Sequence, residues 1–96
     1  MFAVVRSYSD QGAAALFDAL EQRGAEIEDL ISGVPGFVSY AAVRTPGGGV
    51  TVTLCEAKAG TDESSRRAAA WVAENIAVAV TPPTIAEGNT AVQFSA

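Results

Sequence analysis

The residue pattern predicts one α+β domain spanning residues 1–96, with elements in the order β-α-β-β-α-β. Three observations carry this reading. Short runs rich in β-branched and aromatic residues stand at 2–8, 37–43 and 50–56, with another at 90–94. Two longer stretches between them place apolar residues at helical spacing. No linker, low-complexity tract or internal repeat interrupts the series.

The first strand begins almost at once, at Phe2, and Ser9-Asp10 offers N-cap residues for the helix that follows. Leu16, Leu20, Ile27 and Ile31 form the apolar stripe of that helix, and Asp18, Glu21, Glu28 and Asp29 fall on the opposite side as a solvated face. Gly24 interrupts the stripe, either to let the helix approach a sheet closely or to split it in two. Ser32-Gly33-Val34-Pro35-Gly36 ends it. Thr45-Pro46-Gly47-Gly48-Gly49 joins the second and third strands as a hairpin connection longer than two residues. The third strand alternates, with Val50, Val52 and Leu54 on one face and Thr51, Thr53 and Cys55 on the other.

A second helix opens at Gly60-Thr61-Asp62-Glu63, with Thr61 or Asp62 as its cap. Its stripe is Ala69, Val72, Ile76 and then Ala79 or Val80, and Thr81-Pro82-Pro83 stops it. The last strand is placed at 90–94, with 84–87 as a short strand segment before a Gly88-Asn89 turn or bulge. The order is the split βαβ, or ferredoxin-like, plan. It predicts a four-stranded antiparallel sheet with both helices on one face. The other face then needs a cover, for which a second copy of the chain is the natural choice, giving a homodimer.

Composition removes several function classes. The chain is 49% hydrophobic, yet no run approaches the ~18–20 apolar residues of a membrane span. The amino terminus MFAVVRSYSD does not read as a signal peptide. Net charge is −5, and among six basic residues only Arg66 and Arg67 are adjacent, which argues against nucleic acid. One cysteine cannot form an internal disulfide and suits the cytoplasm. There is no histidine, so the commonest near-neutral acid–base group and transition-metal ligand is missing. No cofactor and no metal site are expected.

Val34-Pro35-Gly36-Phe37, followed by a hairpin whose third strand ends at Glu56 and then an alanine-rich helix, resembles the dimeric α+β barrel superfamily, in its branch related to antibiotic-biosynthesis monooxygenases. The resemblance covers nearly the whole chain. It implies two sheets packed face to face across a dimer, in a group that includes cofactor-independent monooxygenases, haem-degrading enzymes and small proteins of no established activity. The monooxygenases carry a tryptophan soon after the third strand and a histidine late in the next helix. Here Ala57-Lys58-Ala59 follows the strand, Trp71 stands mid-helix, and Glu74 and Asn75 lie near where the histidine falls. The haem-degrading branch lacks its ligand in this chain.

Candidate pocket-lining residues are Arg6, Tyr8, Tyr40, Glu56 and Trp71. Arg6 and Tyr8 share one face of the first strand, and Glu56 ends its expected neighbour, so an Arg6–Glu56 pair across the sheet is anticipated. If that face lines the barrel interior, Arg6, Tyr8 and Tyr40 add a few polar groups to an apolar pocket, with Arg6 orienting a carboxylate or phenolate. The structural alternative is an ion pair with tyrosines packed at an interface. Trp71 falls off-centre from the helix stripe, as a pocket rim or partner contact, or as a cap on the edge of the core. Cys55 reads as a buried structural thiol, and Gly47-Gly48-Gly49 is not a phosphate loop because no helix follows.

Three functions fit these residues. The first is a cofactor-independent monooxygenase-like enzyme acting on a small aromatic substrate. The second is a non-catalytic dimer binding a small apolar or aromatic ligand. The third is a structural or interaction module that recruits a partner through a strand edge.

Overall fold

The computed structural model describes residues 1–96. Its elements are β1 (Phe2–Ser9), α1 (Ala13–Gln22), α2 (Gly24–Ser32), β2 (Phe37–Thr45), β3 (Gly48–Cys55), α3 (Lys58–Asn75) and β4 (Thr84–Asn89). The four strands form one antiparallel sheet in the order β2-β3-β1-β4. The helices cover one face of it, as the ferredoxin-like plan requires.

The first helix is two helices. Arg23 leaves the helical region, with φ −117° and ψ 35°, between α1 and α2. A side chain at Gly24 would meet nothing within 4 Å, so this glycine does not serve a close approach. The expected Ser9-Asp10 cap is absent. Asp10 and Gly12 instead take left-handed backbone, and α1 starts at Ala13 with no side-chain cap. The β2–β3 connection is tighter than expected, leaving only Pro46 and Gly47 between the strands. At the Pro-Gly-Phe motif, Gly36 is left-handed, and its carbonyl accepts a 2.8 Å hydrogen bond from the Glu56 amide. This turn seats the start of β2 beside the end of β3.

α3 differs from the expectation in both extent and phase. It begins at Lys58, ends at Asn75, and buries Gly60, Thr61, Ser64 and Trp71. Of the anticipated stripe, Ala69 and Ala79 are exposed and the helix ends before Ile76, but Val72, Ile76 and Val80 are partly buried and pack against the core. The reason lies in what α3 packs against, because small and hydroxyl-bearing residues meet a polar stretch of sheet. Ile76 takes extended backbone and ends the helix, and the segment to Val80 continues as irregular chain with a bend at Val78. The Thr81 amide anchors that segment on the Gln11 carbonyl at 3.0 Å.

The final strand is β4 at 84–89, not 90–94. Its register pairs Phe2 with Asn89, and the Thr90 amide adds a 2.9 Å hydrogen bond to the Met1 carbonyl before the pairing stops. Val92 and Phe94 are accordingly 79% and 86% exposed.

The strand register also settles which face is which. Val4, Arg6 and Tyr8 of β1 are buried beneath the helices, in line with Thr51, Thr53 and Tyr40. The open face carries Ala3, Val5 and Ser7 of β1, Val50, Val52 and Leu54 of β3, and Ala41 and Val43 of β2. None of these residues is charged.

Candidate functional site

Arg6 sits at the centre of the helix-covered face, directly opposite Thr51. It is only 2% exposed. Its Nη1 donates to Thr51 Oγ1 at 3.3 Å and Thr53 Oγ1 at 3.1 Å. Its Nη2 donates to Ser64 Oγ at 2.7 Å and Ser65 Oγ at 3.0 Å. β3 supplies one pair of hydroxyls and α3 the other, which explains why both elements bury polar residues there. The Nε–H is buried without an acceptor. No carboxylate pairs with this guanidinium, and burial pulls its pKa down from the ordinary arginine value.

Beside Arg6 lies a cleft of about 500 Å³. β1 and β4 contribute Arg6, Tyr8 and Ile85, α3 contributes Ser65 and Val72, and the segment 76–83 forms the remaining wall with its alanines, valines and prolines. Arg6 is the only charged residue lining it. Tyr8 packs edge-to-face on Phe17, with ring centroids 6.1 Å apart. Burial raises the Tyr8 phenol pKa, an effect Arg6 partly offsets.

The expected site residues separate into three places. Arg6 and Tyr8 line the cleft. They do so on the helix-covered face, however, and not on the open face where a barrel interior would form. Tyr40 and Trp71 stand with Tyr8 around a separate void of about 20 Å³, enough for roughly one water. Tyr40 also faces an outer groove between α2 and β2, and burial raises its phenol pKa. Glu56 is exposed beyond the end of β3 and does not pair with Arg6. Arg6 aligns with Thr51, five residues earlier, which places Glu56 about 17 Å further along the strand.

Trp71 is a core residue at 6% exposure. Its Nε1 donates to Glu26 Oε2 at 2.6 Å. The Arg23 guanidinium lies 5.1 Å from its ring centroid, bonds Glu26, and donates to Asn75 Oδ1 at 3.0 Å. This cluster ties the start of α2 to the end of α3. The Trp71 indole, and then Arg23, hold the Glu26 carboxyl below the usual carboxylate value.

Sequence reasoning missed the four hydroxyls around Arg6 and the wall at 76–83. The signal for the first was present: Thr51 and Thr53 alternate on one face of β3, and Ser64-Ser65 sits on the next helix. Cys55 is fully buried, and burial raises its thiol pKa, as a structural cysteine would show. No group of three or more His, Cys, Asp or Glu residues converges to hold a metal ion. No helix is long and apolar enough to cross a membrane.

No protein-family model matches the chain, and no curated protein matches it in sequence. Solved structures do match in fold. NE2512, a protein of unknown function from Nitrosomonas europaea, superposes with a TM-score of 0.66 at 23% identity, covering 99% of this chain and 93% of its own. The heme-degrader MhuD of Mycobacterium tuberculosis, solved with two hemes in its active site, gives 0.67 at 13% identity over 99% and 100%. The monooxygenase ActVA-Orf6 of Streptomyces coelicolor, solved with nanaomycin D, gives 0.60 at 21% identity over 98% and 91%. The fold is theirs. It is also the fold that the resemblance to the α+β barrel proteins implied.

The cleft offers haem neither a histidine nor a thiol: the chain has no histidine, and its one cysteine is fully buried and does not line the cleft.

Proposed function

We propose that the chain, folded as one domain, binds a small aromatic molecule in the Arg6–Tyr8 cleft and acts on it as a cofactor-independent monooxygenase. The observation that carries this is a mostly apolar cleft of about 500 Å³ with a single charged group at one side. That is the usual form of a small-molecule site, in which apolar walls supply affinity and a few polar groups set orientation. In such a reaction the substrate itself supplies all four electrons that reduce O₂, as a ring methylene does in becoming a carbonyl or a phenol in becoming a quinone. One oxygen atom of O₂ enters the product as a carbonyl, and the other leaves as water. Oxygen uptake with a panel of anthrones and hydroquinones tests the reading. Substrate-dependent uptake matched by product supports it. Ligand-induced thermal stabilisation without uptake overturns the catalytic half and leaves a binding protein, which is the second reading the cleft allows.

We also propose a cytoplasmic homodimer joined through the open sheet face. Support comes from that face: Val5, Val50, Val52 and Leu54 sit together without one charge, in a chain with seventeen charged side chains. Val52→Glu, near the middle of the sheet, should convert a dimer to a monomer in light scattering. A wild-type chain that is monomeric at micromolar concentration would refute the proposal.

A further inference from the structure

We propose that the cleft selects ligands bearing an aromatic oxyanion, a phenolate or a carboxylate, and that Arg6 is its counter-charge. This rests on the reading of the cleft as a ligand site. A guanidinium stays protonated even when buried, so Arg6 carries a full positive charge inside the protein. Isolated buried charge is strongly unfavourable unless an opposite charge and complete hydrogen bonding offset it. Here neither condition is met. All four partners of Arg6 are neutral hydroxyls, which solvate the charge without cancelling it. The chain has eleven acidic residues and places none of them against Arg6. Glu87, the acid that influences Arg6 from a distance, is 3.4 Å from Lys58 and paired there.

The guanidinium also retains one unused donor, the buried Nε–H. A purely structural arginine would be expected to spend all five of its donors on the fold. The unused donor belongs to the only charged residue lining a cleft otherwise walled by alanine, valine, isoleucine and proline. Those walls suit an apolar body, and the residual charge suits one anionic group attached to it. The hydroxyls of Thr51, Thr53, Ser64 and Ser65 hold the planar fork in place before any ligand arrives, so little ordering is needed on binding.

The test uses three probes of nearly one shape: 2-naphthoate, 2-naphthamide and 2-naphthol, titrated calorimetrically into the full chain. For wild type, naphthoate should bind about 10-fold or more tightly than the neutral amide, the gap expected of a hydrogen bond to a charged group. Naphthol affinity should rise as the pH approaches its own ionisation, with its pKa lowered in the complex. Tight naphthoate with flat naphthol assigns a carboxylate, and rising naphthol affinity assigns a phenolate. In Arg6→Met the naphthoate–naphthamide gap should shrink to about twofold. Arg6→Lys, which keeps the charge but not the fork, should retain part of it. The wild-type comparison stands even if the methionine variant fails to fold. Equal affinity for naphthoate and naphthamide, with no pH dependence for naphthol, overturns the proposal and leaves the aromatic cleft standing. Absence of binding by all three probes overturns the cleft reading, and this inference with it.

Discussion

The cleft owes one wall to an unusual contact, and Gly12→Ala removes it. Gly12 has φ +83°, and its bare Cα lies against the backbone of Ala79 and Val80. A Cβ there would stand 2.8 Å from Val80 Cα and closer still to the Ala79 carbonyl. Restoring the ~3.5 Å of ordinary carbon–carbon contact moves the wall outward by roughly 0.7 Å or more. The neighbouring hydrogen bond from the Thr81 amide to the Gln11 carbonyl resists that movement. Left-handed backbone adds about 1–2 kcal/mol for alanine. In a domain of this size that lowers Tm by about 5–15 °C. Weaker wall contact should reduce naphthoate affinity by about tenfold, or about 1.4 kcal/mol. Differential scanning fluorimetry and calorimetry read the two effects separately. Gly12→Asn distinguishes their causes, because asparagine tolerates left-handed backbone yet carries the same Cβ. It should recover much of the Tm and none of the affinity. If Gly12→Asn binds naphthoate as tightly as wild type, the wall is not held by this contact and the reasoning fails.

Other expectations follow from the same coordinates. Trp71→Phe loses core volume and the bond to Glu26, and should lower stability by about 1–3 kcal/mol in urea unfolding. The carboxyl of Glu26 is held below its ordinary value of 4.5, so its contribution is present at neutral pH and is lost as pH falls through the lowered value. Wild type should therefore lose more Tm than Glu26→Gln when taken from pH of about 6 to about 3. Gly60→Ala should destabilise by about 1–3 kcal/mol despite alanine's better helix propensity, because its Cβ would lie 2.9 Å from both Cβ and Sγ of Cys55 and against the Pro35 carbonyl. Equal or higher stability of Gly60→Ala would contradict that packing. Cys55 should resist iodoacetamide in the native protein and react only at urea concentrations that unfold it, and labelling at a free-thiol rate under native conditions would contradict its burial.

The strands were legible because each carries its own period: β1, β2 and β3 all lie within two residues of where β-branched runs place them. β4 was displaced from 90–94 to the segment at 84–89, whose first part the sequence also marked as a strand, because a strand's limits depend on its partner and the register of β1 pairs Phe2 to Ser7 with Asn89 to Thr84. α3 was misphased for a different reason. Its buried positions Gly60, Thr61 and Ser64 are those a hydrophobic pattern assigns to solvent, while Ala69 is exposed. Arg6 and Tyr8 were identified as neighbours on one strand face. Alternation alone does not say which of two faces the helices cover. The apolar set of Val5, Val50, Val52 and Leu54 looks like the core, yet it is the polar set of Arg6, Thr51 and Thr53 that lies beneath α3.

That inversion carries meaning for both faces. Sequences that specify a fold generally agree with it at every level, and departures concentrate at functional sites. Here the departure is concerted. Polar positions on β3 meet polar positions on α3, and the only group that justifies both is the Arg6 guanidinium between them. An apolar side chain of similar length could fill that space without desolvating a charge, and such replacements of buried ions are often neutral or stabilising. Four hydroxyls hold the cation there and its Nε–H is left without a protein partner, the arrangement that the proposed anionic ligand would complete. The open face shows the complementary half of the inversion: Val5, Val50 and Val52 are only partly buried there, beside a Leu54 that the chain itself covers. On the proposed readings one face awaits an anion and the other a second copy, and both follow from the placement of Arg6 on β1.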